Sequence, residues 1–374
     1  MYRMNITDST TDVPEEQFVV DLALMRAINL CRWLVPFIFG IIAFLGIVGN
    51  FLVIFTVCRQ RAHRAVTYYY IVNLAVTDLA FLLCCVPFTA TEYALPSWIF
   101  GTLLCKFSGF MKQVTGLATC TTLTAMTIDR YRAIVHPFRS LQSRTAKSAV
   151  IVSLGIWIGS SMYSLPYLIY KDTIFVETYN VTYCGARWPS QNFEFYYHLG
   201  TFFVVYFIPL AIIGICYAIL LQKLWGFSFN ERESGEARAR MMQRKKHITL
   251  MILIVVLVFA GSWLPLHVVH LWRLLGELQQ NTATYYLRTF SLCLAYSNSC
   301  VNPIVYAFVG GKFRERFLYA CPGFCRLKIM KQDTMHLGHM SKVRTGSVLE
   351  TTKRTKLLNS SDNTDGGKDG NCVN

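Results

Sequence analysis

The sequence predicts an all-α fold, a bundle of seven helices that each cross a membrane. Three observations carry this. Only 15% of the 374 residues are charged and 53% are hydrophobic, whereas a soluble domain carries about a quarter charged residues. Seven apolar segments recur along the chain, each near the roughly 20 helical residues that cross a hydrocarbon core about 30 Å thick. The basic excess, a formal +15, gathers in alternate loops.

The segments run Leu34–Val57, Tyr68–Ala90, Thr102–Ile128, Ser148–Ile169, Tyr196–Leu221, Ile248–Leu271 and Tyr285–Phe308. Backbone groups in lipid must bond within their own segment, so each is expected to be a helix. Barrel strands would be shorter and alternate in polarity. One set of loops holds 20 Lys and Arg against 7 in the other. The positive-inside rule then puts the N-terminus outside and the C-terminus in the cytoplasm. This accounts for the basic charge without nucleic acid, which needs clustered Lys and Arg on a soluble domain.

Residues 1–33 form the expected extracellular terminus, and 34–308 the membrane domain. The first 17 residues lack the apolar core of a signal peptide, so the first span is expected to be its own signal. Asn5 (NIT) and Asn180 (NVT) are outer-side glycosylation sequons, while Asn359 (NSS) falls inside. Residues 326–374 are polar and lack material for a core, which reads as a disordered cytoplasmic tail.

Thirteen cysteines do not form a disulfide framework, because only Cys31, Cys105 and Cys184 belong near the outer, oxidising side. A Cys105–Cys184 bond would tie the loop between the fourth and fifth segments over the bundle mouth. Two free thiols are the alternative, and Cys31 has no obvious mate. Cys321 and Cys325 follow the last span beside basic residues, as palmitoylated or as bare cytosolic thiols.

A lone ionisable group inside a membrane span marks function by default. Asp78 is one, and Asn50, Thr119, Asn298, Ser299 and Asn302 can gather round it if their helices are neighbours. Carboxylate, hydroxyl and amide oxygens suit sodium. A hydrogen-bonded network that only joins helices is the alternative. Pro87, Pro209, Pro265 and Pro303 each remove a backbone bond and can kink a helix.

The third span ends in Asp129, Arg130 and Tyr131. The sixth holds Trp263 two residues before Pro265, and the seventh reads NPIVY through Asn302, Pro303 and Tyr306. Together with GN in the first span, LAVTDL in the second, Trp157 in the fourth, and Pro209 with Tyr217 in the fifth, these motifs resemble rhodopsin-type (class A) G-protein-coupled receptors across all seven spans. One departure is Ser262, where that family often has Cys. GGKFRERF after the last span resembles the family's short amphipathic eighth helix, placed with the palmitoylation region at 309–325.

The resemblance implies that Asp129 holds Arg130 at rest, that Arg130 lies near the G-protein site, and that Tyr217 and Tyr306 swing toward it on activation. Amine receptors need a carboxylate in the outer half of the third span, which here offers Lys112 and Gln113. Opsins need a lysine in the seventh, where Tyr296 stands at the facing position. CKFSGFMKQVTGLATCTTLTAMTIDRY and LPSWIFG resemble kisspeptin receptors, while SWLPLHVVHLW and CLAYSNSCVNPIVYAF resemble galanin receptors. Allatostatin-A receptors are a third relative. The implied function is a neuropeptide receptor, kisspeptin-like with Gq first and galanin- or allatostatin-A-like with Gi second.

Convergence below the tethered loop selects Gln113, Trp263, His267, His270, Tyr296 and Phe290 as candidate ligand contacts, with Glu92 and Trp188 on the rim. Glu92 could meet a basic ligand residue or water. The short, basic third inner loop should frame the G protein. Ser341, Thr345, Ser347, Thr351 and Thr352 are candidate kinase targets leading to arrestin. A transporter would show internal repeats, and none is visible; an enzyme would need a catalytic cluster or domain that the short loops do not hold.

Overall fold

The computed structural model describes residues 15–59, 66–229, 236–276, 279 and 281–309. The Asn5 sequon, the eighth-helix segment from 310 onward, Cys321, Cys325, the tail Ser and Thr positions and Asn359 lie outside these residues.

The chain folds as long helices with one small hairpin. In order they are α1 (Glu15–Arg59), α2 (Val66–Cys84), α3 (Val86–Ala94), α4 (Gly101–Val135), α5 (Pro137–Ser143), α6 (Ala146–Tyr170), β1 (Lys171–Val176), β2 (Val181–Ala186), α7 (Gln191–Thr201), α8 (Ile208–Phe229), α9 (Glu236–Leu274) and α10 (Thr282–Val309). Helices α2 and α3 form one span bent where Pro87 lacks its N–H. The bonds Cys85 N–H to Phe81 O (2.9 Å) and Thr89 N–H to Cys85 O (3.1 Å) carry the helix across the bend. Helices α7 and α8 likewise join through a π-helical turn, Phe202–Phe207, just before Pro209.

Seven spans result, and five of them are apolar enough by composition alone to cross a membrane. The other two, α4 with 35 residues and α10 with 28, are as long but more polar. The reason is position. Helix α4 packs against α2, α6, α8 and α9, and α10 against α1, α2 and α9, so many of their side chains face protein. The peripheral helices show the converse. Phe37 (67% exposed), Phe44 (68%) and Phe51 (61%) repeat every seven residues on α1, a stripe that water would penalise and lipid accepts. The chain is a multi-pass membrane protein.

Helix α1 begins well before the expected start at Leu34. No Gly or Pro interrupts residues 15–35, and Leu24, Ala27, Cys31 and Val35 form a buried stripe that extends the helix beyond the apolar run. Helix α6 is capped by Thr145, which accepts from Ser148 N–H (3.1 Å). Ser190 caps α7 through Phe193 N–H (3.1 Å). Asn281 Oδ1 caps α10 through Thr284 N–H (2.9 Å).

The expected all-α fold thus holds, with one addition. Strands β1 and β2 pair antiparallel from Lys171 opposite Ala186 to Val176 opposite Val181. Asn180 sits at the tip with φ of 50°, a left-handed conformation that asparagine tolerates. Its side chain is exposed. The hairpin lies over one end of the bundle, held by the Cys105–Cys184 disulfide (Cα–Cα 5.5 Å), by Trp98 N–H to Thr182 O (2.7 Å) and by the Thr102–Thr173 hydroxyl pair (2.8 Å).

Candidate functional site

Polar groups buried in the bundle fall into three layers. At the end opposite the hairpin, Arg130 Nη2 donates to Asp129 Oδ2 at 2.7 Å, with both residues 6% exposed. Arg144, in the turn after α5, donates to the same carboxylate twice, Nε to Oδ1 at 2.7 Å and Nη2 to Oδ2 at 2.8 Å. Thr67 adds a fourth bond to Oδ2 at 3.2 Å. One carboxylate therefore neutralises one of two guanidinium charges, and Arg130 keeps a buried Nε with no partner. Tyr131 packs edge-on to His136 instead of joining the group. Nearby, Tyr217 donates to Thr249 O (3.1 Å), linking α8 to α9, and Lys223 donates to Val135 O (3.0 Å).

The middle layer centres on Asp78, which is 1% exposed and accepts from Asn302 Nδ2 at 2.8 Å. Ser299 is its second hydrogen-bond neighbour. Asn50 donates to Gly46 O (2.9 Å) and across to Ser299 O (2.8 Å), and Gly49 lets α1 close on Pro303, whose Cβ would lie 3.0 Å from an added methyl. Three amide oxygens here, of Asn50, Asn298 and Asn302, are buried without a partner. A carboxylate with orphan acceptor oxygens around it is a donor set of the kind that suits a small hard cation. Thr119 is buried on α4, and Tyr306 is buried on α10. A separate polar chain, absent from the sequence reading, runs between α2, α4 and α6: Asn73 donates to Thr122 (2.7 Å) and accepts from Trp157 Nε1 (3.0 Å).

The third layer opens toward the hairpin. Trp188 lies within ring contact of Tyr167, Tyr170, Phe193, Tyr197 and His198. His198 meets His270 at 4.3 Å between centroids. Deeper, His267 touches Phe202, Tyr206 and Trp263, and Trp263 touches Phe259. Buried nitrogens of Gln113 (Nε2), Trp263 (Nε1) and His267 (Nε2) have no partner. Glu92 is in an ion pair with Lys112 at 3.7 Å. Glu194 and Arg273 form a second pair at 3.7 Å on the other side.

One expected contact, Phe290, falls elsewhere, and a second, Tyr296, is largely enclosed by neighbouring helices. Phe290 is 63% exposed and shares its face of α10 with the exposed Tyr286, Leu287 and Ile304, so it points out of the bundle. Tyr296 is 3% exposed, stacked on Phe39 (4.9 Å) and edge-on to Phe81 (4.7 Å), with its hydroxyl 3.0 Å from Thr89. It packs between α1, α2 and α10, and its hydroxyl also interacts with Lys112 on α4, so it lies beneath the Glu92–Lys112 pair. Phe290 is expected inward from its depth in the span, and depth does not say which face of a helix is turned inward.

This arrangement is a scaffold with a lined mouth, a buried polar centre and a charged cluster at the far end. A family model described as 7 transmembrane receptor (rhodopsin family) matches residues 49–306. The chain belongs to that family. The receptor is 41% identical over 303 residues to G-protein coupled receptor 54 of Oreochromis niloticus, covering 79% of this chain and 80% of the relative. It is 39% identical over 309 residues to the KiSS-1 receptor of Homo sapiens, covering 79% and 76%. It is 38% identical over 315 residues to galanin receptor type 1 of Mus musculus, covering 84% and 87%. It is thus a class A G-protein-coupled receptor, similar to both groups.

Arg144, Thr67 and Asn73 are among the polar residues that sequence reasoning missed. Arg144 is one of five basic residues following Asp129 in its loop region, and nothing local distinguishes it. Trp157 next to a buried amide could have been found by asking where its N–H bonds.

Proposed function

We propose that this receptor sits in the plasma membrane with the hairpin outside, binds a neuropeptide in the mouth below the hairpin, and catalyses nucleotide exchange on a heterotrimeric G protein at the Arg130 end. A kisspeptin-like peptide with Gq and calcium signalling is the leading reading. The observation that carries it is the match to receptors named for KiSS-1 in three mammals at 36–39% identity over 303–329 residues. A galanin- or allatostatin-A-type peptide with Gi is the second reading, favoured by galanin receptor type 1 matches at 38–40% over 282–315 residues.

Peptide contact falls to Trp188, His270, His267, Trp263 and Gln113, where rings supply area and unpartnered nitrogens supply direction. Ligand pressure on Trp263 reaches Pro265, where α9 lacks one backbone bond and can bend. Bending α9 pulls Thr249 from Tyr217, and Arg130 leaves Asp129 for the G protein. The group around Asp78 holds sodium at rest, and Asn302, Pro303 and Tyr306 couple it to α10. Asn5 and Asn180 carry glycans, Cys321 and Cys325 carry acyl chains, and the tail recruits kinase and arrestin.

The deciding experiment expresses the receptor in cells and records calcium and cAMP against kisspeptin-like, galanin-like and allatostatin-A-like peptides. A potent calcium response to the first group supports the leading reading. A fall in cAMP with either other group replaces it with the second. Silence across the panel, with surface expression confirmed, removes the peptide assignment.

A further inference from the structure

Two groups of buried atoms that lack partners differ in kind. Around Asp78 they are oxygens, of Asn50, Asn298 and Asn302; in the hairpin half they are the nitrogens of Gln113, Trp263 and His267. The Gln113 amide nitrogen and the Trp263 indole N–H can only donate, whereas the His267 nitrogen serves either way, so the first two wait for an acceptor.

Lys171 extends this pattern. It is the first residue of β1, yet its side chain drops onto α4, where a Cβ on Gly109 would lie 2.7 Å from its Cδ. Its Nζ reaches the disulfide sulfur of Cys184 at 3.4 Å. Among the described residues it has no ion pair. Glu92, the acid whose charge it feels, is already paired with Lys112. The three groups together carry one net positive charge.

The placement is ordered. Gly109, Gln113 and Gly116 follow the i, i+4, i+7 spacing of one helix face, and Trp263 lies over Gly116, 3.9 Å from a Cβ built there. It is the far edge of the indole that faces Gly116; Lys171, over Gly109, and Gln113, one turn further along the same face, therefore follow each other along α4, about 6 Å apart in helix rise.

We propose that Lys171 binds a carboxylate of the peptide agonist, with a peptide carbonyl accepting from Gln113 below it. The inference rests on the receptor reading above and refines its ligand: the group at the mouth is an acid, not the basic residue that Glu92 alone would attract. A cation there would meet the net positive charge of Lys112, Lys171 and Glu92.

Two measurements test it. First, the receptor in lipid nanodiscs, with 13C-methylated lysines, is titrated with glutarate. The Lys171 resonance, assigned by its absence in Lys171→Arg, should shift saturably with glutarate and not with 1,5-diaminopentane. A glutarate response no larger than that of exposed lysines overturns the proposal. Second, a panel peptide that activates the receptor is compared with analogues in which each acidic side chain is made an amide, or the free C-terminus is amidated. Lys171→Met should cost the parent about 10- to 100-fold in potency, cost one analogue nothing further, and be rescued by Lys171→Arg at equal surface expression. The insensitive analogue names the carboxylate. Equal losses for parent and every analogue overturn the site. Silent peptides with a saturable glutarate shift would remove the peptide reading and leave the anion site standing.

Discussion

Arg144 grips both carboxylate oxygens of Asp129, at 2.7 and 2.8 Å, while Arg130 holds only one. The charged cluster at this end is thus a three-residue group, in which the turn after α5 orients the acid that pairs with Arg130. A two-armed guanidinium fixes the carboxylate plane as a single bond cannot.

Asp129→Asn is expected to raise basal signalling by freeing Arg130. Arg144→Ala should do the same more weakly, through the misplaced carboxylate. Arg144 is 23% exposed, so its bonds are discounted for solvent and the resting balance should shift by about tenfold at most. Basal GTPγS binding at matched surface expression checks both. Wild-type basal activity in Arg144→Ala would reduce that residue to a loop anchor.

Asp78→Asn is expected to abolish the effect of sodium on agonist affinity, because the amide keeps the size and loses the charge. Competition binding in sodium against N-methylglucamine buffers measures this. Sensitivity unchanged by the substitution would eliminate Asp78 as the cation site.

Gln113→Ala should weaken agonist potency about tenfold, the worth of one lost buried hydrogen bond, and leave surface expression intact. Phe290→Ala, on the outward face, should leave potency alone. Concentration–response curves for the pair separate a lined mouth from general damage to the bundle.

Burial, aided by the charge of Lys112, pulls the Lys171 ammonium down to about 8, and Glu92 opposes this. Lys112 and Lys106 belong to α4, Glu92 to α3, and β2 offers the uncharged disulfide. The folded receptor releases this proton before the unfolded chain does, near the ordinary 10.5. Between about pH 8 and 10.5 the unfolded state holds more protons, so the Lys171 contribution to stability rises with pH in that window. Carboxylate binding needs the charged form, so agonist affinity should fall as pH rises above about 8, by up to tenfold per unit. Radioligand binding from pH 6.5 to 9.5 on wild type and Lys171→Arg measures it. A fall of equal size in the arginine variant would assign the titration to another group.

Seven spans, their order and the positions of Asp78, Asp129–Arg130 and Trp263 were legible because lipid imposes a simple rule on sequence. A span must be about 20 residues of mostly apolar helix, and any charge inside it stands out. The Cys105–Cys184 pairing was legible for a related reason: few cysteines reach the hairpin end. The start of α1 at Glu15 was not, since hydropathy marks where a helix enters lipid and not where it stops. The hairpin was not either, because its twelve strand residues carry no sharp alternation and their pairing depends on the disulfide and the Trp98 loop.

What the sequence determined by itself is the membrane bundle, its family and the motifs along its axis, all set by composition and by spacing within single helices. What the tertiary structure decided is partnership across helices. It put Arg144 on Asp129, set the Tyr296 hydroxyl between Thr89 and Lys112, turned Phe290 outward, and laid Lys171 over Gly109 beside an acid already taken. Those outcomes depend on the rotation of each helix and on which neighbour reaches a buried charge first. Neither quantity is local to a stretch of chain.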